Sequence, residues 1–147
     1  MDFARGLGIR GKKDGYLEND RYIVTWAVGH LVELFEPQDY NPAWKKWSFE
    51  NLPVIPDTYR YKPIKKTAKQ LKIIRRLLSE KNIAKIVVAT DAGREGEVIA
   101  RTVLSAARPG KMIQIYRFWT SQALTPAVVK SQMNSLKPAA DYERLWD

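Results

Sequence analysis

At 147 residues and 45% hydrophobic content, the chain has the length and apolar material of one domain with a real core, which excludes a disordered tail. Its 25 Lys and Arg against 16 Asp and Glu give a formal charge of +9, favouring a polyanionic partner, nucleic acid first and an anionic membrane surface second. With no cysteine, a disulfide framework, a thiolate zinc site and a cysteine nucleophile are all excluded, so a metal would be held by oxygen or by the single histidine, His30.

The N-terminus, Met1 to Arg5, lacks the basic-then-apolar order of a signal peptide. No apolar stretch approaches the roughly 20 residues that span a bilayer. A cytoplasmic protein without a membrane partner is expected. "FARGLGIRGKKDG" reads as the end of a short helix followed by a loop, since four glycines interrupt it. "RYIVTWAVGHL", Arg21 to Leu31, is β-branched and aromatic and closes at Gly29, which predicts a strand with His30 just past its end.

The proline- and aromatic-rich stretch from Glu36 to Pro63 shows no sustained period. A flexible linker would be rich in Gly and Ser and would not carry Trp44, Trp47, Phe49, Tyr59 and Tyr61. An ordered excursion held by aromatic packing is expected, with base stacking as the alternative use of the rings. "KKTAKQLKIIRRLLSEKN" then places Ala68, Leu71, Ile74 and Leu78 at helical spacing, with Ile73 and Leu77 beside them. Its other face is basic: eight Lys or Arg fall between Arg60 and Arg76 with no acid among them. Such a face suits contact with a nucleic-acid backbone, although a solvated helix face is commonly charged in any case.

"KIVVAT" has the continuous apolar character of a strand covered on both faces. "REGEVIARTVLSAA" predicts a helix stopped by Pro109-Gly110, and "KMIQIYRFW" another strand. A further helix opens at Leu124-Thr125-Pro126 with Thr as N-cap and runs to about Ser135. A last helix starts near Asp141 and is still in progress at Asp147, its apolar residues unpaired, as in a truncated polypeptide. Strands alternating with helices predict an α/β fold with a mostly parallel sheet, whose chemistry collects at the carboxyl ends of strands. Asp91 and His30 both fall at such ends.

"TDAGREGE" places Asp91 after a strand, Gly93 in a tight turn, and Glu95 and Glu97 in the first helical turn. Convergent carboxylates suit Mg²⁺, a hard cation that takes oxygen ligands and retains waters and substrate phosphate. The simpler alternative is an Asp91 N-cap with Glu95 and Glu97 complementing the helix dipole, worth roughly 0.3 to 1 kcal/mol each. A Walker-type phosphate loop is disfavoured, since no Gly-Lys-Ser/Thr follows.

"TDAGREGE", "TWAVGHL" and "LPVIP" together resemble the N-terminal Toprim domain of type IA DNA topoisomerases, closest to the topoisomerase III branch. "DFARGLG", "TAKQLKIIRRLL", "YRFWTSQALTPAVVKSQM" and "DYERLWD" extend the resemblance along the whole chain. It implies a Rossmann-like Toprim sheet flanked by helices over residues 1–119, incomplete at the N-terminus, with residues 120–147 beginning the connection to the next domain. It also implies Mg²⁺-dependent cleavage, passage and religation of a DNA strand in a full-length enzyme. The DNA would be single-stranded or negatively supercoiled, and the remaining topoisomerase domains would be partners.

On the same resemblance, Asp91 and Glu95 are the metal ligands and, with Arg94, the catalytic group, while His30 lies near bound DNA. The second aspartate of the family's acidic motif is replaced by Gly93, so metal binding would either be weaker or lean on Glu97 or water. The family's first strand, ending in Glu-Lys-Pro-Ser and supplying a proton-transfer glutamate, has no counterpart here. None of the seven tyrosines lies in a segment like the family's nucleophile motif. The isolated chain is therefore expected to be inactive in strand passage, and marginal or associating, because the absent strand would lie between those of Ile23–Val28 and Ile86–Ala89. The alternatives are a free-standing nucleic-acid-binding Toprim module, another Toprim enzyme such as a primase or nuclease, and a basic domain without a metal site.

Overall fold

The computed structural model describes residues 2–110 and 112–145. It begins with helix α1 (Asp2–Gly6), and the expected loop after it is instead a hairpin of β1 (Gly11–Lys13) and β2 (Tyr16–Glu18). Lys13 pairs with Tyr16 across the two-residue turn Asp14-Gly15. Gly15 has φ +82°, as such a turn demands, and a Cβ there would lie 2.5 Å from Ile73 Cδ1.

The strand expected over Arg21 to Leu31 is shorter, β3 (Ile23–Thr25), antiparallel to β2. After it the chain turns through His30 into β4 (Val32–Leu34), which pairs antiparallel with β5 (Tyr61–Pro63). The excursion between β4 and β5 holds α2 (Pro37–Tyr40) and two 3₁₀ turns, Pro42–Lys45 and Phe49–Asn51.

Helix α3 (Ala68–Leu78) forms on the predicted pattern, with Leu71, Ile74 and Leu77 as its buried seam. Strand β6 (Lys85–Val88), helix α4 (Arg94–Ala107) and strand β7 (Gln114–Arg117) make a βαβ unit in which β6 and β7 run parallel. Helix α5 (Pro126–Met133) is capped by Thr125, whose side chain accepts from the Val128 N–H. A two-residue β8 (Lys137–Pro138) returns antiparallel to β7. The final helix takes 3₁₀ form over Ala139–Leu145. Trp146 and Asp147, over which the expected helix continued, lie outside the described residues.

The expectation of one mostly parallel sheet is corrected. Among the described residues three small sheets form, β1-β2-β3, β4-β5 and β6-β7-β8, and β6–β7 is the single parallel pair. The reason lies in the connections. The β6–β7 link carries the 14-residue crossover helix α4, which returns the chain in the same direction, whereas β1, β2 and β3 are joined by turns, β4 and β5 by an excursion that doubles back, and β7 and β8 by a link in which the shorter α5 brings the chain back antiparallel. β3 and β6 belong to separate sheets and do not pair across the space between them. Ile86, Val87 and Val88 of β6 are half-buried, so the strand is less fully covered than its continuous apolar run predicts.

Among the described residues two apolar clusters hold the elements together. The larger packs Leu31, Val32, Leu71, Ile74, Val103 and Ala107, joining β4, α3 and α4. The smaller packs Ala4, Ile9 and Leu17 between α1 and the hairpin. Gln70 on α3 ties the two regions together. Its amide donates to the Gly15 carbonyl at 2.9 Å, the Trp26 carbonyl at 2.8 Å and the Thr25 hydroxyl at 3.1 Å. An unpaired buried amide is expensive, so these bonds also fix the register of hairpin against helix. Among the described residues, no helix is long and apolar enough to cross a membrane.

Candidate metal and nucleic-acid site

The acidic loop leaves the carboxyl end of β6 and enters α4 at Arg94. Asp91, Arg94 and Glu95 are all exposed, the last two in the first turn of the helix, and so all three side chains are open to a ligand. The positive end of the α4 dipole lies at this turn and favours carboxylates and phosphate alike.

What fixes this loop is an arginine that no sequence motif marks out. Arg117, the last residue of β7, is 1% exposed. Its guanidinium donates to the carbonyls of Val88 at 3.1 Å, Thr90 at 2.8 Å, Asp91 at 2.8 Å and Phe118 at 2.9 Å. The Nε donates to Glu97 Oε2 at 3.0 Å. Trp119 closes the other side, with its ring centroid 4.8 Å from the guanidinium carbon. Burial pushes Arg117 below the usual arginine value, and the Glu97 charge opposes that shift. The guanidinium thus staples the ends of β6 and β7 and uses the backbone of the acidic loop as acceptor. A lone arginine inside the apolar strand "QIYRFW" was the available sequence signal.

Glu97 consequently serves in a different role from the one expected of it. It is 2% exposed and engages Arg117 as well as Arg101, whose Nε lies 2.7 Å from Oε1. Both carboxylate oxygens are committed to these cations, so Glu97 does not stand in for the aspartate that Gly93 replaces. Nor is Gly93 the glycine the loop most requires. Its φ of 160° is close to extended backbone, and a Cβ there would meet nothing within 4 Å. At Gly96 a Cβ would fall 2.1 Å from the Asp91 carbonyl oxygen and 3.0 Å from the Asp91 nitrogen. Gly96 therefore lets the first turn of α4 lie directly against the Asp91 backbone. Thr90 completes the frame, donating from its hydroxyl to the Gly96 carbonyl at 2.7 Å.

Two exposed carboxylates, one on the loop and one on the helix, stand on backbone held by a buried cation, a close glycine contact and a hydroxyl. That donor set fits Mg²⁺, which uses one or two carboxylates and fills its octahedron with water and phosphate oxygens. Among the described residues, no three His, Cys, Asp or Glu side chains gather closely enough to hold a metal by themselves. His30 is exposed on the turn between β3 and β4, and is not drawn with Asp91 and Glu95 into a three-ligand cluster. The link between these loops is indirect: β4 packs against α4, the helix that carries Glu95.

Residues 4–123 match the Toprim domain family model. The chain is 39% identical over 146 residues to DNA topoisomerase 3 of Staphylococcus haemolyticus, covering 99% of this chain and 20% of the relative. It is 43% identical over 145 residues to DNA topoisomerase 3 of Bacillus licheniformis, again covering 99% of this chain and 20% of the relative. It thus spans about a fifth of the length of the curated relatives it matches. A match over most of the chain, on a fold whose acidic loop sits at a strand end beside a helix N-terminus, places this polypeptide in the Toprim domain family.

Proposed function

We infer that this chain is the Toprim part of a type IA DNA topoisomerase of the topoisomerase III kind, supplying Mg²⁺ binding and phosphate contacts. The observation that carries this reading is the fixed, outward presentation of Asp91 and Glu95 on a frame made by Arg117, Gly96 and Thr90. The relatives' name supplies the substrate class, DNA.

Asp91 and Glu95 would hold the ion. When bound, Mg²⁺ neutralises charge on a phosphoryl group. Asp91 is held through its own carbonyl, so its carboxylate meets a ligand without reorganising the loop. Arg94, exposed in the first helical turn, reaches for a neighbouring phosphate, and His30 contributes a further polar contact to DNA. Lys65, Lys66 and Lys72 on the exposed side of the α3 region extend the positive surface along which a backbone would lie. The strand-cleaving tyrosine comes from the remaining topoisomerase domains, and residues 120–147 begin the connection to them. That segment is anchored by β8 on β7 and by Tyr142 stacked on Trp119, with ring centroids 4.9 Å apart.

The test is the affinity of Asp91→Asn for single-stranded DNA, measured with Mg²⁺ and with EDTA. The reading requires a loss confined to the Mg²⁺ condition, and the same for Glu95→Gln. Equal affinities of parent and variants in both conditions would refute it, leaving a basic binding module without a metal site. Supercoiled plasmid should stay supercoiled with this chain alone.

A further inference from the structure

Between Tyr40 and Tyr61 the chain turns several of its largest apolar side chains to water. Phe49 is 97% exposed, Trp47 83%, and Tyr59 68%. The expectation that these rings would pack as a local core therefore fails for three of them. The backbone beneath is nonetheless pinned. Asn51 Nδ2 donates to the carbonyls of Ala43 at 3.3 Å and Lys46 at 3.2 Å, the Arg60 N–H donates to the Tyr40 hydroxyl at 2.7 Å, and Asn41 caps the first 3₁₀ turn. Rings on a fixed backbone and open to solvent are unusual for a monomeric surface and mark a contact site.

Trp44, Trp47, Leu52, Pro53 and Lys46 line a cleft of about 240 Å³ on this face. Lys45 and Lys46 are exposed, and neither takes part in an ion pair among the described residues. We propose that this face is a second binding site, at which unpaired bases of single-stranded DNA stack on Trp47 and Phe49 while Lys45 and Lys46 meet the phosphates. Every base has a π-face, so stacking is tolerant of sequence, whereas a duplex hides those faces. A protein partner is favoured by an interface centre depleted of charge, and the lysine in the cleft wall argues against it. The site depends on the functional reading above for the choice of DNA and on nothing at Asp91.

The experiment uses the 147-residue chain in EDTA, so that metal-dependent affinity at Asp91 makes no contribution. Binding of an oligothymidylate of about 12 nucleotides is followed by anisotropy, and quenching of tryptophan fluorescence is recorded alongside. Trp47→Ala and Phe49→Ala should each weaken oligothymidylate binding about tenfold, with duplex binding and thermal midpoint unchanged. Lys45→Gln with Lys46→Gln should flatten the salt dependence of the same binding. Unchanged oligothymidylate affinity in both ring variants overturns the proposal. So does loss of self-association by sedimentation with oligothymidylate affinity intact, which would assign the face to a second copy of the chain. Neither result would touch the Mg²⁺-dependent comparison at Asp91.

Discussion

The acidic loop at Thr90 to Glu95 and the aromatic excursion at Glu36 to Pro63 both turn reactive side chains to solvent, but they are held by different means. Under the loop sits a buried ion pair, Arg117 with Glu97, reaching across from another strand. Under the excursion sit short-range bonds, an Asp39 capping interaction at Glu36, the Asn41 cap and the Asn51 amide. The first region's geometry is thus welded into the global fold, and the second is close to a self-contained module. Substitutions beneath the loop should cost stability and function together, whereas substitutions on the excursion should separate them.

The largest effect is expected at Arg117. Arg117→Met removes donors from four carbonyls and leaves Glu97 buried with only Arg101, so stability should fall by about 3 to 5 kcal/mol. Urea unfolding would register this as a lowered midpoint, and a change below about 1 kcal/mol would show that the staple is dispensable. Gly96→Ala comes next. With 2.1 Å between the new Cβ and the Asp91 oxygen, the loop must shift at a cost of about 1 to 3 kcal/mol, and Mg²⁺-dependent DNA affinity should fall with it. Gly93→Ala is the control, since nothing stands in its way.

Thr125→Ala should cost about 1 kcal/mol by removing the cap of α5, measurable by calorimetry, with no change in the acidic loop. Trp47→Ala should change stability by less than about 0.5 kcal/mol, because its side chain is already in water. A marked loss there would mean that the excursion is packed more tightly than its exposure indicates. The smallest effect is the pH dependence of Lys62 with Asp39. The Lys62 hydrogen bond holds Asp39 below the usual carboxylate value, so its contribution is present above about pH 4 and lost as pH falls through the lowered value. The same bond raises Lys62 above its usual value, so the pair's contribution is again lost as pH rises through that raised value. Comparing the pH profiles of parent and Lys62→Met should show only a slight difference, located at those two extremes.

Much of the βαβ unit was legible in the sequence, because its signals are local. The apolar side of α4 and the Pro109-Gly110 stop gave the helix nearly residue for residue, and Thr125-Pro126 gave the start of α5. Sheet direction was not legible, since alternation of strand and helix says nothing about which strands pair, and the hairpin at Asp14-Gly15 was lost among the other glycines. At the site, the motif nominates Asp91, Arg94 and Glu95 and the structure shows their side chains exposed, but the support beneath them was not legible in the sequence. Glu97 looks like its neighbour Glu95 in the sequence, and only the arrival of Arg117 from β7 turns it into a buried structural partner. Gly96 likewise reveals its role only when the Asp91 backbone is found against it.

The most direct test of the central claim is a titration of the ¹⁵N-labelled chain with Mn²⁺ as a Mg²⁺ analogue, followed by amide line broadening. The expected result is broadening centred on Asp91 to Gly96, relieved by excess Mg²⁺ and abolished in the Asp91→Asn, Glu95→Gln double variant. Broadening centred elsewhere, or unchanged in that variant, would contradict the assignment of these two carboxylates as the metal site.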